Sequence, residues 1–178
     1  MKVYRVHEKQ HQPLGFKPLS AVSSDPFGGG RFDSLSAKFS TMYFASDLYT
    51  CCLEMFYRRK PRLDKKFPQE LLKNELELNI AGAEICGTLP ETLLEKYNLH
   101  TCDINIEGSI FDTLNQNAWD DLAMQFSSEL HAAALPPLEC SIATQIDRQT
   151  TRFLADLIYD AEFSCIKYPS RWNRDGFC

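Results

Sequence analysis

DRQTTRFLADLIYDAEFSCIKYPSR, residues 147–171, governs how the rest of the chain is read. Asp147 is a good helix N-cap, and Phe153, Leu154, Leu157, Ile158 and Ala161 then recur at the spacing of one amphipathic helix face. The pattern changes at Phe163. From there to Tyr168 the composition is that of a strand, and Pro169-Ser170 ends it in a turn. Near the other end, Val3 to Val6 alternates like a first strand. Strands and helices thus occur in one short chain with no linker long enough to part them, which predicts a single α+β domain over residues 1–178.

Between these ends the signals vary in strength. Pro13, Pro18, Pro26 and Gly28-Gly29-Gly30 mark an irregular loop that runs directly into Arg31. Residues 40–45 form a short β-prone run, and Ser46 or Asp47 can cap a helix reaching to about residue 59. Leu48, Cys51, Cys52 and Met55 define its core face. Glu54 falls about 120° round the helix from the centre of that stripe, where a side chain emerges at the edge of a cleft. Further on, partial alternation predicts strands over 71–80 and 83–86, then a short helix over 90–97. A helix around 119–131 ends before Pro136-Pro137.

Composition narrows the function. The chain has 178 residues, 19 Lys plus Arg against 24 Asp plus Glu, and a net charge of −5, which argues against a nucleic-acid backbone binder. At this length about two-thirds of the unfolded surface can be buried, so no metal or disulfide is needed to hold the fold. The start lacks a signal-peptide core and no apolar run reaches membrane-spanning length, so a cytosolic protein is expected. Seven cysteines without a C-x-x-C pair read as free thiols, and four histidines without ligand spacing give no metal site. Taken singly, the remaining features have ordinary explanations: a mobile glycine turn before a surface arginine, a solvated Glu54, a turn serine at 170, half-buried Tyr43 and Tyr168. The basic run over 58–66 reads as a solvated loop.

Taken in order they say more. Tyr4-Arg5-Val6, Gly30-Arg31-Phe32-Asp33, Met42-Tyr43-Phe44-Ala45-Ser46-Asp47 with Glu54, the helix from Arg148 to Tyr159, and Ile166-Lys167-Tyr168-Pro169-Ser170-Arg171 together resemble the RES domain family, named for an arginine, a glutamate and a serine. The resemblance implies an ADP-ribosyltransferase-like fold, with a mixed or mostly antiparallel β core and flanking helices. It also implies an enzyme that consumes NAD⁺, typically the toxin of a toxin–antitoxin pair, whose antitoxin covers the active-site opening. By position, Arg31, Glu54 and Ser170 match the three catalytic residues. Tyr43 matches an aromatic of the substrate pocket, and Gly30, Tyr168 and Arg171 complete the expected binding set. RES chains usually continue past the serine segment into a last strand, so an ending at Gly176-Phe177-Cys178 is expected to lack it.

The chemistry suits one carboxylate. Nicotinamide leaves NAD⁺ as a neutral group and needs no general acid, unlike an ordinary glycoside with its two carboxylates. Glu54 is expected to stabilise the developing oxocarbenium charge, with Arg31 and the Gly28 to Gly30 backbone at the pyrophosphate and Arg171 as a second phosphate contact. Ser170 is expected to orient Glu54, and Tyr43 to pack on the nicotinamide. NAD⁺ is then substrate and no prosthetic group is required; water, phosphate or a protein remain open as acceptor. Two other classes compete: a RES-like module that binds nucleotide or protein without turnover, and a Cys/His hydrolase, which thiol alkylation would inactivate.

Overall fold

The first strand resolves as β1 (Lys2–Glu8), with Val3 and Val6 buried and Tyr4 and Arg5 partly exposed. A computed structural model describes residues 1–25, 27–56, 95–144, 147–173 and 175–178. β1 pairs antiparallel with β2 (Tyr97–Asp103), placing Arg5 opposite His100 and His7 opposite Asn98. β3 (Ser109–Asp112) pairs parallel with β4 (Phe163–Lys167). The helices are α1 (Leu48–Phe56), α2 (Gln116–Gln125), α3 (Ser127–Ala132) and α4 (Arg148–Asp160). The architecture is therefore mixed α+β, with one antiparallel and one parallel strand pair among the described residues. The expected strands over 71–80 and 83–86, the basic run over 58–66 and most of the helix expected over 90–97 lie outside those residues.

A large core gathers Phe111, Trp119, Leu122, Leu154 and Ile158, all almost fully buried. Phe111 and Trp119 meet edge to face at 4.8 Å, and the indole N–H donates to the Thr113 carbonyl at 2.9 Å, so the ring is buried without an orphaned donor. A smaller core of Val6, Ala45, Cys51 and Tyr97 joins β1, β2 and α1.

Helix α4 follows the sequence closely on one face. Asp147 accepts from Gln149 N and Thr150 N, and Leu154, Leu157 and Ile158 are buried, with Phe153 and Ala161 at the rim. Its other face is buried too. Arg152 and Asp156 lie beneath the loop that precedes Thr41, where Asp156 accepts from the hydroxyls of Ser34 and Ser36 and from Ser36 N.

Three expectations are corrected. Tyr97 opens a strand rather than closing a helix, because its ring enters the small core while pairing with β1 orders the mostly exposed residues after it. Residues 40–45 form no strand; a single bridge joins Ala45 to Tyr4. In α1, Asp47 does cap the helix through Thr50, but Leu48 is 45% exposed while Thr50, Cys51 and Leu53 are buried. The helix is rotated from its expected stripe because Thr50 packs on the C-terminal turn. Among the described residues no helix is long and apolar enough to cross a membrane.

Candidate active site

Glu54 comes to its position through two local devices. Asp47 anchors α1 by accepting from the backbone and hydroxyl of Thr50 at 2.7 and 2.6 Å, and two turns later the helix presents Glu54 on its flank. There Ser170 Oγ donates to Glu54 Oε1 at 2.8 Å. Ser170 Oγ itself accepts N–H bonds from Trp172 and Asn173 at 3.1 and 3.2 Å. With two donors on its lone pairs, the hydroxyl has one direction left for its hydrogen, toward Glu54. Asn173 Nδ2 donates to Thr50 Oγ1 at 2.7 Å and fastens this turn to α1. A Cβ on Gly176 would lie 1.9 Å from Thr50 Oγ1, so this contact requires a glycine. The end of the segment folds back, with Tyr168 and Cys178 exchanging backbone hydrogen bonds at 3.0 and 2.8 Å.

Glu54 lines a cleft of about 320 Å³, together with Arg31, Tyr43, Tyr168 and Gly30. Ser170 stands behind Glu54 rather than in the lining, and Arg171 is not among the lining residues. The volume is at the small end of the range for ligand clefts, about 300–1,000 Å³.

Arg31 is part of the floor. Only 4% exposed, it donates to the Ala143 carbonyl, and its guanidinium lies 5.7 Å from the centre of the Tyr168 ring, which itself packs on Phe32 at 4.8 Å. It serves as a fixed positive charge rather than a mobile fork. Tyr43 is fixed in the same way. Its hydroxyl donates to Asp33 Oδ1 and accepts from Phe32 N, both at 2.9 Å, so its ring rather than its hydroxyl is what it offers to a ligand.

The glycine loop differs from expectation. Gly28 N donates to the Asp25 carbonyl at 2.9 Å and Gly30 N to Asp33 Oδ2 at 2.7 Å, so two of the three amides expected at a phosphate are already engaged. Gly30 is needed for another reason: a Cβ there would lie 2.4 Å from the Tyr43 hydroxyl. Beneath the loop, fully buried Arg152 donates to five backbone carbonyls, those of Ser23, Asp25, Gly28, Asp33 and Ser34. Five donors thus meet five acceptors. One turn earlier, Arg148 donates to the carbonyls of Phe27 and Gly29 at 3.2 and 3.0 Å.

Electrostatics follow from these contacts. Burial alone would raise the Asp33 carboxyl, but the donors from Thr41, Gly30 N and Tyr43 outweigh it and hold it below its ordinary value. Burial and the neighbouring Asp33 push the Tyr43 phenol well above its usual range, and burial does the same to Tyr168. Both remain neutral hydroxyls.

Residues without an assigned role in the sequence also line the cleft. Arg5 stands on β1, its guanidinium lowered by partial burial yet still charged. A charged residue inside a strand between two buried valines is the signal that could have found it. Cys51 and Cys178 line the cleft as well, and burial pushes their thiols up to about 11 and about 12. No histidine lines the cleft among the described residues, so neither thiol has an imidazole beside it there. Alkylation of either would fill the cleft, so it does not separate a thiol enzyme from the alternatives; substitution does. Among the described residues no cluster of His, Cys, Asp or Glu could hold a metal ion.

No curated protein and no solved structure matches the chain. Residues 2–178 match the RES domain, so the chain belongs to the RES domain family, a family linked to NAD⁺-related toxin function.

Proposed function

We propose that this protein cleaves the nicotinamide–ribose bond of NAD⁺ in an ADP-ribosyltransferase-like fold, and that it acts as a toxin whose cognate antitoxin covers the cleft. The observation that carries this reading is the hydrogen bond from Ser170 to Glu54 at 2.8 Å, beside a cleft that also holds Arg31, Tyr43 and Tyr168. It is a direct contact between the two residues that match the family's glutamate and serine, and Arg31 lines the same cleft as Glu54.

In this mechanism the nicotinamide ring packs against the Tyr43 face, and the ribose lies over Glu54. The C1′–N bond breaks, its electron pair passes to the ring nitrogen, and neutral nicotinamide departs. Positive charge grows on the ribose carbon, where the Glu54 carboxylate stabilises it. Ser170 keeps that carboxylate aimed, so little reorganisation is needed when charge appears. Arg31 and Arg5 supply positive potential for the pyrophosphate. Water or phosphate then adds through oxygen to C1′. Water loses a proton to solvent in that step, giving ADP-ribose; phosphate gives ADP-ribose 1″-phosphate.

Incubation with NAD⁺, with and without inorganic phosphate, tests the reading. Nicotinamide should appear with one of these two products. Intact NAD⁺ after prolonged incubation with folded protein would overturn it.

A further inference from the structure

Two chains of hydrogen bonds begin at Asn173. One starts from its side chain: Nδ2 donates to Thr50 Oγ1 at 2.7 Å, and Thr50 Oγ1 donates to Asp47 Oδ2 at 2.6 Å. The other starts from its backbone: Asn173 N donates to Ser170 Oγ at 3.2 Å, and Ser170 Oγ donates to Glu54 Oε1 at 2.8 Å. Both chains end on carboxylates of the same helix. Asp47 caps α1, and Glu54 lies seven residues further on, two turns and about 10 Å along the axis.

Chemistry fixes the direction of each hydrogen. Burial alone would raise the Asp47 carboxyl, but the hydroxyl and N–H of Thr50 outweigh it and hold it below its ordinary value, so at neutral pH it can only accept. The fully buried Thr50 hydroxyl therefore gives its one hydrogen to Asp47 and is left an acceptor for Asn173. The Asn173 amide is oriented from its other end as well, since Oδ1 accepts from Asp175 N at 3.3 Å. An alanine at this position would keep neither side-chain bond, and a carboxylate could not donate to Thr50. Held through its side chain, Asn173 presents its backbone N–H to Ser170 Oγ, which leaves the serine hydrogen for Glu54.

We propose that Asn173 is a positioning residue for nicotinamide release, clamping Asp47 and Glu54 of α1 to one turn so that the Ser170 hydroxyl holds the Glu54 carboxylate in place. The inference rests on the NAD⁺ reading above, and it adds a residue that is not in the cleft lining. A serine on an unanchored turn could swing away from its partner. Two attachments seven residues apart on one helix fix both the distance and the angle between Ser170 and Glu54.

The test is the initial rate of nicotinamide release over a range of NAD⁺ concentrations, at equal amounts of folded protein. Asn173→Ala and Asn173→Asp should each lower kcat about tenfold and leave the KM for NAD⁺ within about twofold, because the clamp aims the carboxylate and does not touch the ligand. In Ser170→Ala protein, Asn173→Ala should change kcat by less than about twofold, since no hydroxyl is left there to hold. Asp47→Asn added to Asn173→Asp should restore kcat to within about threefold of wild type: the new amide can donate to Thr50, whose hydroxyl can then donate to the new carboxylate. If Asn173→Ala does not fold, this reversed pair carries the test. Wild-type protein that releases nicotinamide overturns the clamp alone if Asn173→Ala lowers kcat equally with and without the Ser170 hydroxyl, or if Asp47→Asn leaves Asn173→Asp as slow as before. Wild-type protein that releases no nicotinamide overturns the NAD⁺ reading and this inference with it.

Discussion

The two walls of the Glu54 cleft are built to different standards. On one side, Arg31, Tyr43 and Tyr168 rest on the large core and on a loop locked from below by Arg152 and Arg148. On the other, Arg5, Cys51 and Glu54 rest on a core that has four buried residues among those described, where Glu54 is aimed through a turn fastened to α1. A rigid wall supplies fixed charge and ring faces; a lightly packed wall supplies the carboxylate. Substitutions on the first should therefore register in stability and activity together, and on the second mainly in activity.

The sharpest way to break that contrast is Arg152→Met. It leaves five carbonyls without their donor, and each unsatisfied buried group costs about 1–3 kcal/mol, so a loss of at least about 3 kcal/mol is expected in denaturant unfolding. Arg152→Lys should recover only part of this, since an ammonium has three donors for five acceptors. A loss of under about 1 kcal/mol would mean that the loop is held by something else. Gly30→Ala should come next. Its Cβ would meet the Tyr43 hydroxyl at 2.4 Å, and that ring is held by Asp33 and Phe32, so about 1–3 kcal/mol of stability should be lost along with a raised KM for NAD⁺.

The smallest effect is in pH dependence. The folded Asp33 carboxyl lies below its unfolded value, so its contribution is fully present above the ordinary carboxylate range and is lost as pH falls through the folded value. Stability should thus decline on acidification, and Asp33→Asn should flatten part of that limb, with Asp47 and Asp112 keeping the rest. An unchanged acid limb in Asp33→Asn would count against Asp33 as the hub of the rigid wall. At the alkaline end the sign reverses for Cys51. Its folded thiol is raised to about 11, so stability should fall as pH rises toward that value, and Cys51→Ala should lessen the fall.

The same division governs what could be read from sequence. Caps and apolar stripes are local, so Asp47, Asp147 and the Leu154, Leu157, Ile158 face were legible, as were β1 and β4. β2 was not, because exposed Asn98 and Leu99 follow one another on its two faces with no apolar alternation, and its order comes from β1. Arg31, Glu54 and Tyr43 could be nominated from the ordered motifs, and the structure puts all three on one cleft. The job of Arg152 could not, since it lies on α4 and its five acceptors lie 118 to 129 residues earlier in the chain. Nor could the approach of the Tyr43 ring to Gly30, which leaves no room for a Cβ there.

The central claim is that Glu54, aimed by Ser170, stabilises charge as nicotinamide leaves NAD⁺. The most direct measurement is the rate of nicotinamide release by Glu54→Gln beside wild type, at equal concentrations of folded protein. Loss of one such preorganised group should lower kcat about 10²–10³-fold with little change in unfolding midpoint. A Glu54→Gln protein that releases nicotinamide at the wild-type rate would contradict it.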